Sequence, residues 1–332
     1  MMKNNTAEEM AMRVRVALCG LLLAAANASA GEREVSLDWL KTVAFAAHQT
    51  DYSGLVVYQY DNHVETSRIT HVVEPDSEYE KLESLDGPRR EIIRHHGQVW
   101  CYLGHRMVQV DSHQGRSRFP SLLPDQLSAL SANYLAREAG TERVAGYNAQ
   151  VILFQPRDNL RYAHKIWAHT DSGLLLKAAV LDDKNRVIEQ YAFTQLQIGG
   201  NIDRSWIGSK GTAGFAAGLS VSPETASSGT AINSGWVVDA LPAGFRKTRE
   251  IQRPMRGKHA PVTQIVYSDG LSAISVFIEP SDRDEDDVEG LSSRGAVNLH
   301  HKVLDKHLIT VVGEVPPRTV MQALDSVRYN GK

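Results

Sequence analysis

The chain has 332 residues, 42% of them hydrophobic and 23% charged, which is enough apolar material for two ordinary domains and excludes a disordered chain. A formal charge of −3 argues against general nucleic-acid binding. Only Cys19 and Cys101 are present, and Cys19 falls in an apparent leader, so the cores have to hold without an intramolecular disulfide.

Arg13 and Arg15 precede an apolar run over 16–26, and Ala28-Ser29-Ala30 offers the small residues that a signal peptidase accepts. This predicts a signal peptide over 1–30, cleaved after Ala30. The run is about half of the ~20 apolar residues that a membrane span needs. Leu18, where a small residue would precede a lipidated Cys19, argues against a lipoprotein. Glu8 and Glu9 suit a leader poorly, which moves the expected start to Met10 or Met12.

Ser36 is placed to cap a helix carrying Leu37, Leu40, Val43, Ala44 and Ala47, with Val35 stapling onto Leu40. Strand-like segments then follow over 55–60, 65–73, 80–85, 89–95, 99–103 and 106–110, separated by DNH, EPDS, DGP, HG and GH turns. Pro120 and Pro124 bracket a break, and 125–138 reads as a helix with Leu127, Leu130, Tyr134 and Leu135 on one side. Strands resume over 149–155, 161–169, 174–181 and 187–198. Short connections make neighbours antiparallel, so the pattern predicts one large, curved antiparallel sheet covered by helices.

Residues 208–235 are dominated by Gly, Ala, Ser and Thr and read as a flexible linker. Ordered structure reopens at Trp236, with strands over 264–267, 273–279, 297–304 and 308–312 and a last helix from near Pro317 that turns Val320, Leu324 and Val327 inward. The expected division is therefore a leader over 1–30, a large domain over 31–207, a linker over 208–235 and a smaller α+β domain over 236–332.

The chemistry-bearing motifs are few. His95, His96, Cys101, His105 and His113 lie close in sequence, but the paired spacing of structural zinc modules is absent. Asp282, Asp284 and Asp286 open like a calcium loop, yet Asp287 stands where the turn needs Gly and Ser293 where a bidentate Glu belongs. No nucleophile elbow, Walker loop, dinucleotide turn or zincin helix occurs. The reading is a non-enzyme without cofactor or metal. Arg246, Lys247, Arg249, Arg253, Arg256 and Lys258 put six cations into thirteen residues, a candidate face for phosphates or an acidic partner. Arg89, Arg90 and Arg94 form a smaller basic group, in which alternation puts Arg90 and Arg94 on one strand face.

The words RITHVVE at 68–74, LESLDGPRREIIRHHGQVWCYL at 82–103, FPSLLP at 119–124, RVAGYNAQV at 143–151, PRDNLRYAHKIW at 156–167, SGLLLKA at 172–178, EQYAFTQLQIG at 189–199, YSDGLSAISVFIEP at 267–280 and GEVP at 313–316 stand out along the chain. Together and in this order they resemble the RseB/MucB family of periplasmic sigma-factor regulators. Coverage runs from about Trp39 to Tyr329. The resemblance implies an α+β protein of two domains, an N-terminal open antiparallel half-barrel like the lipoprotein carriers LolA and LolB with covering helices, and a smaller C-terminal α+β domain.

The resemblance also implies a periplasmic partner, the exported part of an RseA/MucA-type anti-sigma factor, which the family shields from site-1 proteolysis so as to restrain the envelope-stress sigma factor. Lipopolysaccharide or another acylated molecule is implied as the releasing ligand. In an open half-barrel, Leu55, Val57, Ile69, Ile93, Trp100, Leu122, Leu123, Leu127 and Trp167 become candidates for an acyl-binding concave side. The rival reading is a soluble periplasmic lipid or lipoprotein carrier of LolA type, and an exported hydrolase stands third. The sequence leaves the oligomeric state open, a homo-oligomer included.

Overall fold

The computed structural model describes residues 33–104, 106–111, 118–124, 126–210, 229–255, 260–282 and 290–331. The predicted leader, most of the predicted linker, His105, His113, Arg256, Lys258, Asp284, Asp286 and Asp287 lie outside them.

Helix α1 (Leu37–Gln49) starts where the cap predicts, with the Trp39 amide donating to Ser36 Oγ at 3.2 Å. Its entry is fixed from both sides. Val35 is buried, and its amide donates to the Ala136 carbonyl at 3.2 Å. Strands β1 (Tyr52–Tyr60), β2 (His63–Glu74), β3 (Ser77–Ser84), β4 (Arg90–His95), β5 (Gln98–Leu103) and β6 (Arg106–Asp111) follow. After α2 (Ser128–Asn133) come β7 (Tyr134–Val144), β8 (Tyr147–Pro156), β9 (Ala163–His169), β10 (Leu175–Leu181) and β11 (Val187–Ile198).

These strands make an 11-stranded sheet in the order β6-β5-β4-β3-β2-β1-β11-β10-β9-β8-β7. Every pairing is antiparallel, and β6 and β7 are its two ends, so the sheet is open. It is also strongly curled at the β7 end, where Tyr147 of β8 donates its hydroxyl hydrogen to the Leu196 carbonyl of β11 at 3.3 Å, across the intervening strands. The open antiparallel sheet with covering helices is the architecture that the sequence leads one to expect.

Both faces are buried in part. Helix α1, with α2 beside it, covers the face carrying Tyr52, Val56, Ile69, Ile152, Phe154, Ile166 and Phe193. The other face holds Val72, Ile93 and Tyr102 beneath Ile202 and Trp206 at the start of α3 (Ser205–Lys210), and a second group around Val151, Trp167 and Leu176. At roughly 1.5–3 kcal/mol for each fully buried large apolar side chain, these four clusters supply the main drive for folding this half.

One expected element is different. The helix predicted over 125–138 is only α2, and from Tyr134 the chain is extended as β7. Ser131 and Asn133 turn their side chains back onto the Ser128 and Ala129 carbonyls, which weakens a helix there, and AREAGTER has no apolar stripe to bury. Pairing with β8 wins.

The C-terminal part builds β12 (Thr230–Ala231), β13 (Trp236–Val238), β14 (Arg246–Arg253), β15 (Val262–Ser268), β16 (Ala273–Pro280), β17 (Gly290–Arg294), β18 (Val297–Leu304), β19 (His307–Gly313), α4 (Pro317–Asp325) and β20 (Val327–Tyr329). Seven of these strands form an antiparallel sheet, β12-β14-β15-β16-β19-β18-β17, and β13 pairs with β20. Helix α4 packs Val320, Ala323 and Leu324 against Ile265, Ile274, Val276, Ile309 and Val311. Val327, expected on the helix, begins β20 instead, and the basic run starting at Arg246 forms strand β14. Both sheets belong to one compact unit, Glu34–Lys332.

Gly54 shows how tightly β1 and β11 meet. A Cβ there would lie 2.4 Å from the Gln195 carbonyl oxygen and 2.8 Å from the Phe193 ring. Gly54→Val should therefore lower stability by roughly 1–3 kcal/mol, the usual cost of overpacking. Urea unfolding checks it, and an unchanged midpoint would contradict this packing.

Candidate binding surfaces and the domain junction

The two sheets meet through one buried carboxylate. Asp269 sits in the SDGL turn between β15 and β16, where Oδ1 accepts from the Leu271 and Ser272 amides at 3.0 and 2.9 Å. That is ordinary turn chemistry. Its Oδ2 serves the other domain, accepting from Arg161 Nε at 2.7 Å and from the Tyr134 hydroxyl at 3.0 Å. The guanidinium also donates to the Asp158 carboxylate and to the Ala243 carbonyl, and lies 5.3 Å from the Phe245 ring and 5.8 Å from Tyr134.

The Arg161 and Asp269 side chains are both 0% exposed. Burial works against the charge on Arg161, yet the Asp269 hydrogen bond and charge outweigh it and raise the guanidinium's pKa. Burial also pushes His164, beside this group, down to about 4, so it stays neutral and adds no competing cation. Gly270 follows with φ +102, and a Cβ there would lie 3.0 Å from Pro124.

The junction extends well beyond this pair. Asn298 Nδ2 donates to the Tyr162 hydroxyl at 3.0 Å and to the Val315 carbonyl at 2.8 Å. Thr319 of α4 donates to the Leu160 carbonyl at 2.8 Å. Arg294 Nε donates to the Tyr60 hydroxyl at 2.7 Å, and the Ala296 amide to Glu189 Oε2 at 3.0 Å. Leu271 packs onto the cluster beneath α1 and α2.

The basic run is arranged by a bulge. In the β14–β15 register Arg246 stands opposite Ser268 and Arg249 opposite Val266, with the pairing shifted between Lys247 and Arg249. The extra residue puts Arg246, Arg249 and Arg253 on one face of the sheet, away from α4. Val266 and Phe277 are half-buried on that same face. Lys247 is on the other face, bound to Glu250 at 2.6 Å. Burial and the neighbouring Arg249 lower the pKa of Arg253, whose Nε has no hydrogen-bond partner among the described residues. Arg90 and Arg94 share a face of β4, but Arg94 pairs with Glu80, and Arg90 is exposed 4.0 Å from Glu65.

The nine apolar candidates are not brought together. Ile69, Leu123 and Leu127 are buried beneath α1, with Leu122 half-buried beside them. Leu55 and Val57 alternate with Val56 and so lie on the opposite face of β1. Ile93 and Trp100 belong to the cluster under Trp206. Trp167 is on that opposite face too, flanked by Lys165 and Lys177 at 4.7 and 4.5 Å, with its N–H on Glu142 at 2.8 Å.

A hydrogen-bonded relay holds the strap over 118–124 against α1. Ser121 Oγ lies 2.8 Å from His48 Nε2, and His48 Nδ1 lies 3.0 Å from Glu78 Oε2. His71 Nε2 approaches the same oxygen at 3.4 Å, and its Nδ1 meets the Thr50 carbonyl at 2.8 Å. The hydrogen bonds from His48 and His71 hold Glu78 down at about 2. Among the described residues no three His, Cys, Asp or Glu side chains are grouped to hold a metal.

Sequence reasoning missed Arg161, Asp269, Tyr134 and Asn298 as junction residues. The signal lay in the words PRDNLRYAHKIW and YSDGLSAISVFIEP, but both stretches carry polar turns that composition assigns to the surface.

Comparison with known proteins covers both sheets. The family model of the MucB/RseB N-terminal domain matches residues 36–210, and that of the MucB/RseB C-terminal domain matches residues 230–328. The chain belongs to this family. It is 33% identical over 316 residues to the sigma factor AlgU regulatory protein MucB of Pseudomonas aeruginosa, covering 94% of this chain and 95% of that protein. To the sigma-E factor regulatory protein RseB of Escherichia coli it is 26% identical, covering 93% and 95%. Among solved structures, the Pseudomonas aeruginosa MucA/MucB complex aligns with a TM-score of 0.71 at 30% identity, over 89% of this chain and 99% of that one. A crystal structure of MucB aligns at 0.62 and 31% identity, over 88% and 97%.

Two outcomes follow from the geometry. Arg161→Met and Asp269→Asn should each destabilise the protein by about 3–5 kcal/mol, because each leaves its partner buried and unpaired. The double variant should lose less than the sum, and strict additivity in chemical unfolding would contradict the pair. For Glu78, lowered from 4.5 to about 2, the stabilisation is complete above pH 4.5 and is lost as the pH falls through about 2. Amide exchange at Leu122 and Leu123 should rise across that window and lose its pH step in Glu78→Gln. Exchange that is flat in the parent protein would sink the relay.

Proposed function

We propose that the chain is a periplasmic regulatory binding protein that holds the periplasmic region of an RseA/MucA-type anti-sigma factor. It thereby keeps that factor from site-1 proteolysis and restrains the envelope-stress sigma factor. The observation that carries this reading is the end-to-end likeness to MucB, which has been solved in complex with MucA(peri). A carrier needs only the large sheet, whereas here a second domain is fixed to it by a buried ion pair.

The partner surface we assign is the face of β14 with Arg246, Arg249 and Arg253; the candidates Arg256 and Lys258 lie outside the described residues. Guanidinium groups beside half-buried Val266 and Phe277 suit a segment that is both acidic and apolar. Sensing of lipopolysaccharide or another acylated molecule belongs to the same reading. An acyl chain reaching Ile69, Leu123 and Leu127 would have to lift the strap from α1, breaking the Ser121–His48 contact.

The test uses the full chain with the periplasmic segment of the anti-sigma factor and its site-1 protease. Cleavage should be blocked by the parent protein and resume on adding lipopolysaccharide. Arg246→Ala/Arg249→Ala/Arg253→Ala should bind roughly ten- to a hundredfold more weakly at low salt, with the gap closing at high salt as charge attraction is screened. Binding curves identical to the parent at both salt levels would remove this face from the interface. Cleavage that proceeds unhindered would overturn the function itself.

A further inference from the structure

The relay that ties the strap to α1 has the geometry of an acyl-transfer triad. His48 Nε2 lies 2.8 Å from Ser121 Oγ, and His48 Nδ1 lies 3.0 Å from Glu78 Oε2. The proton of this imidazole has one place to sit. Glu78, held down at about 2 by its hydrogen bonds with His48 and His71, is a carboxylate that can only accept, so Nδ1 carries the hydrogen. The Nε2 lone pair is then left facing the Ser121 hydroxyl. A carboxylate that fixes the tautomer, an imidazole base and a hydroxyl nucleophile therefore stand in one hydrogen-bonded line, with the roles that nucleophilic hydrolysis needs.

Each member is mounted on ordered structure. The Arg118 amide donates to the Ser121 carbonyl at 2.8 Å, which closes this part of the strap into a turn. Phe119 in that turn packs its ring 5.2 Å from Phe193 and 5.7 Å from Tyr191, and Pro120 and Leu123 are buried. His48 belongs to the last turn of α1. Glu78 of β3 is steadied by His71, whose Nε2 is 3.4 Å from Oε2, whose Nδ1 meets the Thr50 carbonyl and whose ring stacks on Tyr52 at 5.0 Å. The line is nonetheless open to solvent, since the His48 and Glu78 side chains are 44% and 47% exposed and Ser121 is half-buried. Apolar surface borders it. Phe45 stands exposed one turn before His48 on α1, and half-buried Leu122 follows Ser121.

We propose that Ser121 and His48 form an esterase site for neutral esters of apolar acyl groups, with Glu78 as a positioning residue. Ser121 Oγ attacks the ester carbonyl carbon while its proton passes to His48 Nε2. The tetrahedral intermediate then expels the alcohol, which takes that proton and leaves an acyl group on Ser121. Water attacks the acyl-serine, gives a proton to His48 Nε2, and releases the carboxylic acid as Ser121 Oγ recovers the proton. The net reaction is ester plus water to acid plus alcohol, and no other reactant is needed. The oxyanion develops in a half-exposed site where water screens it, so slow turnover is expected. The site does not rest on anti-sigma factor binding.

The test treats the full chain with a biotinylated alkyl fluorophosphonate and locates the modified residue by peptide mass spectrometry. The phosphonyl group should sit on Ser121 and be lost in Ser121→Ala. His48→Ala should react roughly 10²–10⁴-fold more slowly, the usual worth of a general base, and added imidazole should restore part of the rate. A purely structural tie would show no such rescue. With p-nitrophenyl butyrate, the parent protein should release nitrophenol faster than Ser121→Ala does, and Glu78→Gln should lower kcat with KM unchanged, as expected of a group that orients the base without touching the ester. The proposal is overturned by modification only at other residues, by equal labelling rates in the parent and His48→Ala, by imidazole restoring nothing, or by nitrophenol release no faster than that of Ser121→Ala.

Discussion

The buried Arg161–Asp269 pair decides how the two halves of this molecule behave. A charge taken fully out of water costs several kcal/mol, and here it is tolerated because each partner's remaining hydrogen-bonding capacity is also met. Asp269 accepts four hydrogen bonds, two from its own turn and two from the other domain. Arg161 reaches Asp158 on its own loop and the Ala243 carbonyl beyond it. Such a node does not come apart gradually. Pulling the sheets apart would leave both charges to find water at once, so the junction favours two discrete arrangements, docked or separated, over a continuum of loose ones.

This changes how the Gly- and Ala-rich connector is understood. Composition alone suggests domains free to move on a flexible tether. The junction sets a different default, with Asn298, Thr319, Arg294 and Ala296 each adding a hydrogen bond between the sheets. A tether between the two domains then matters only in a separated state, where it keeps them near each other.

Much of the fold was legible because its signals are local. Ser36 and Val35 mark the start of α1, and alternation with turn residues marks most strands of the large sheet. What was not legible depends on partners far along the chain. AREAGTER becomes an edge strand because β8 pairs with it, and RKTREIQR becomes β14 because β15 does, though neither has the alternation of a half-buried strand. Candidate acyl-binding residues suffered most, since a sheet buried on both faces hides which side an apolar residue takes. Leu55 and Ile69 looked equivalent in the sequence and are on opposite faces. The basic run is a different kind of signal, because six cations in thirteen residues stay conspicuous in a strand or a loop.

The strap and the junction lie in physical sequence. Ser121 ties the strap to His48 of α1, Leu123 sits in the cluster beneath that helix, and Pro124 abuts Gly270 in the turn that carries Asp269. A ligand that lifts the strap therefore removes packing from the turn whose carboxylate holds the domains together. Moving a two-state junction from 1:99 to 99:1 takes about 5.5 kcal/mol of differential binding. An amphiphile's apolar surface, at roughly 25 cal/mol per Å² removed from water, supplies that difference by burying about 200 Å² more in the separated state than in the docked one. On the proposed reading, an acyl ligand and a protein partner need not share a site to oppose one another, provided that each binds the docked and separated arrangements differently.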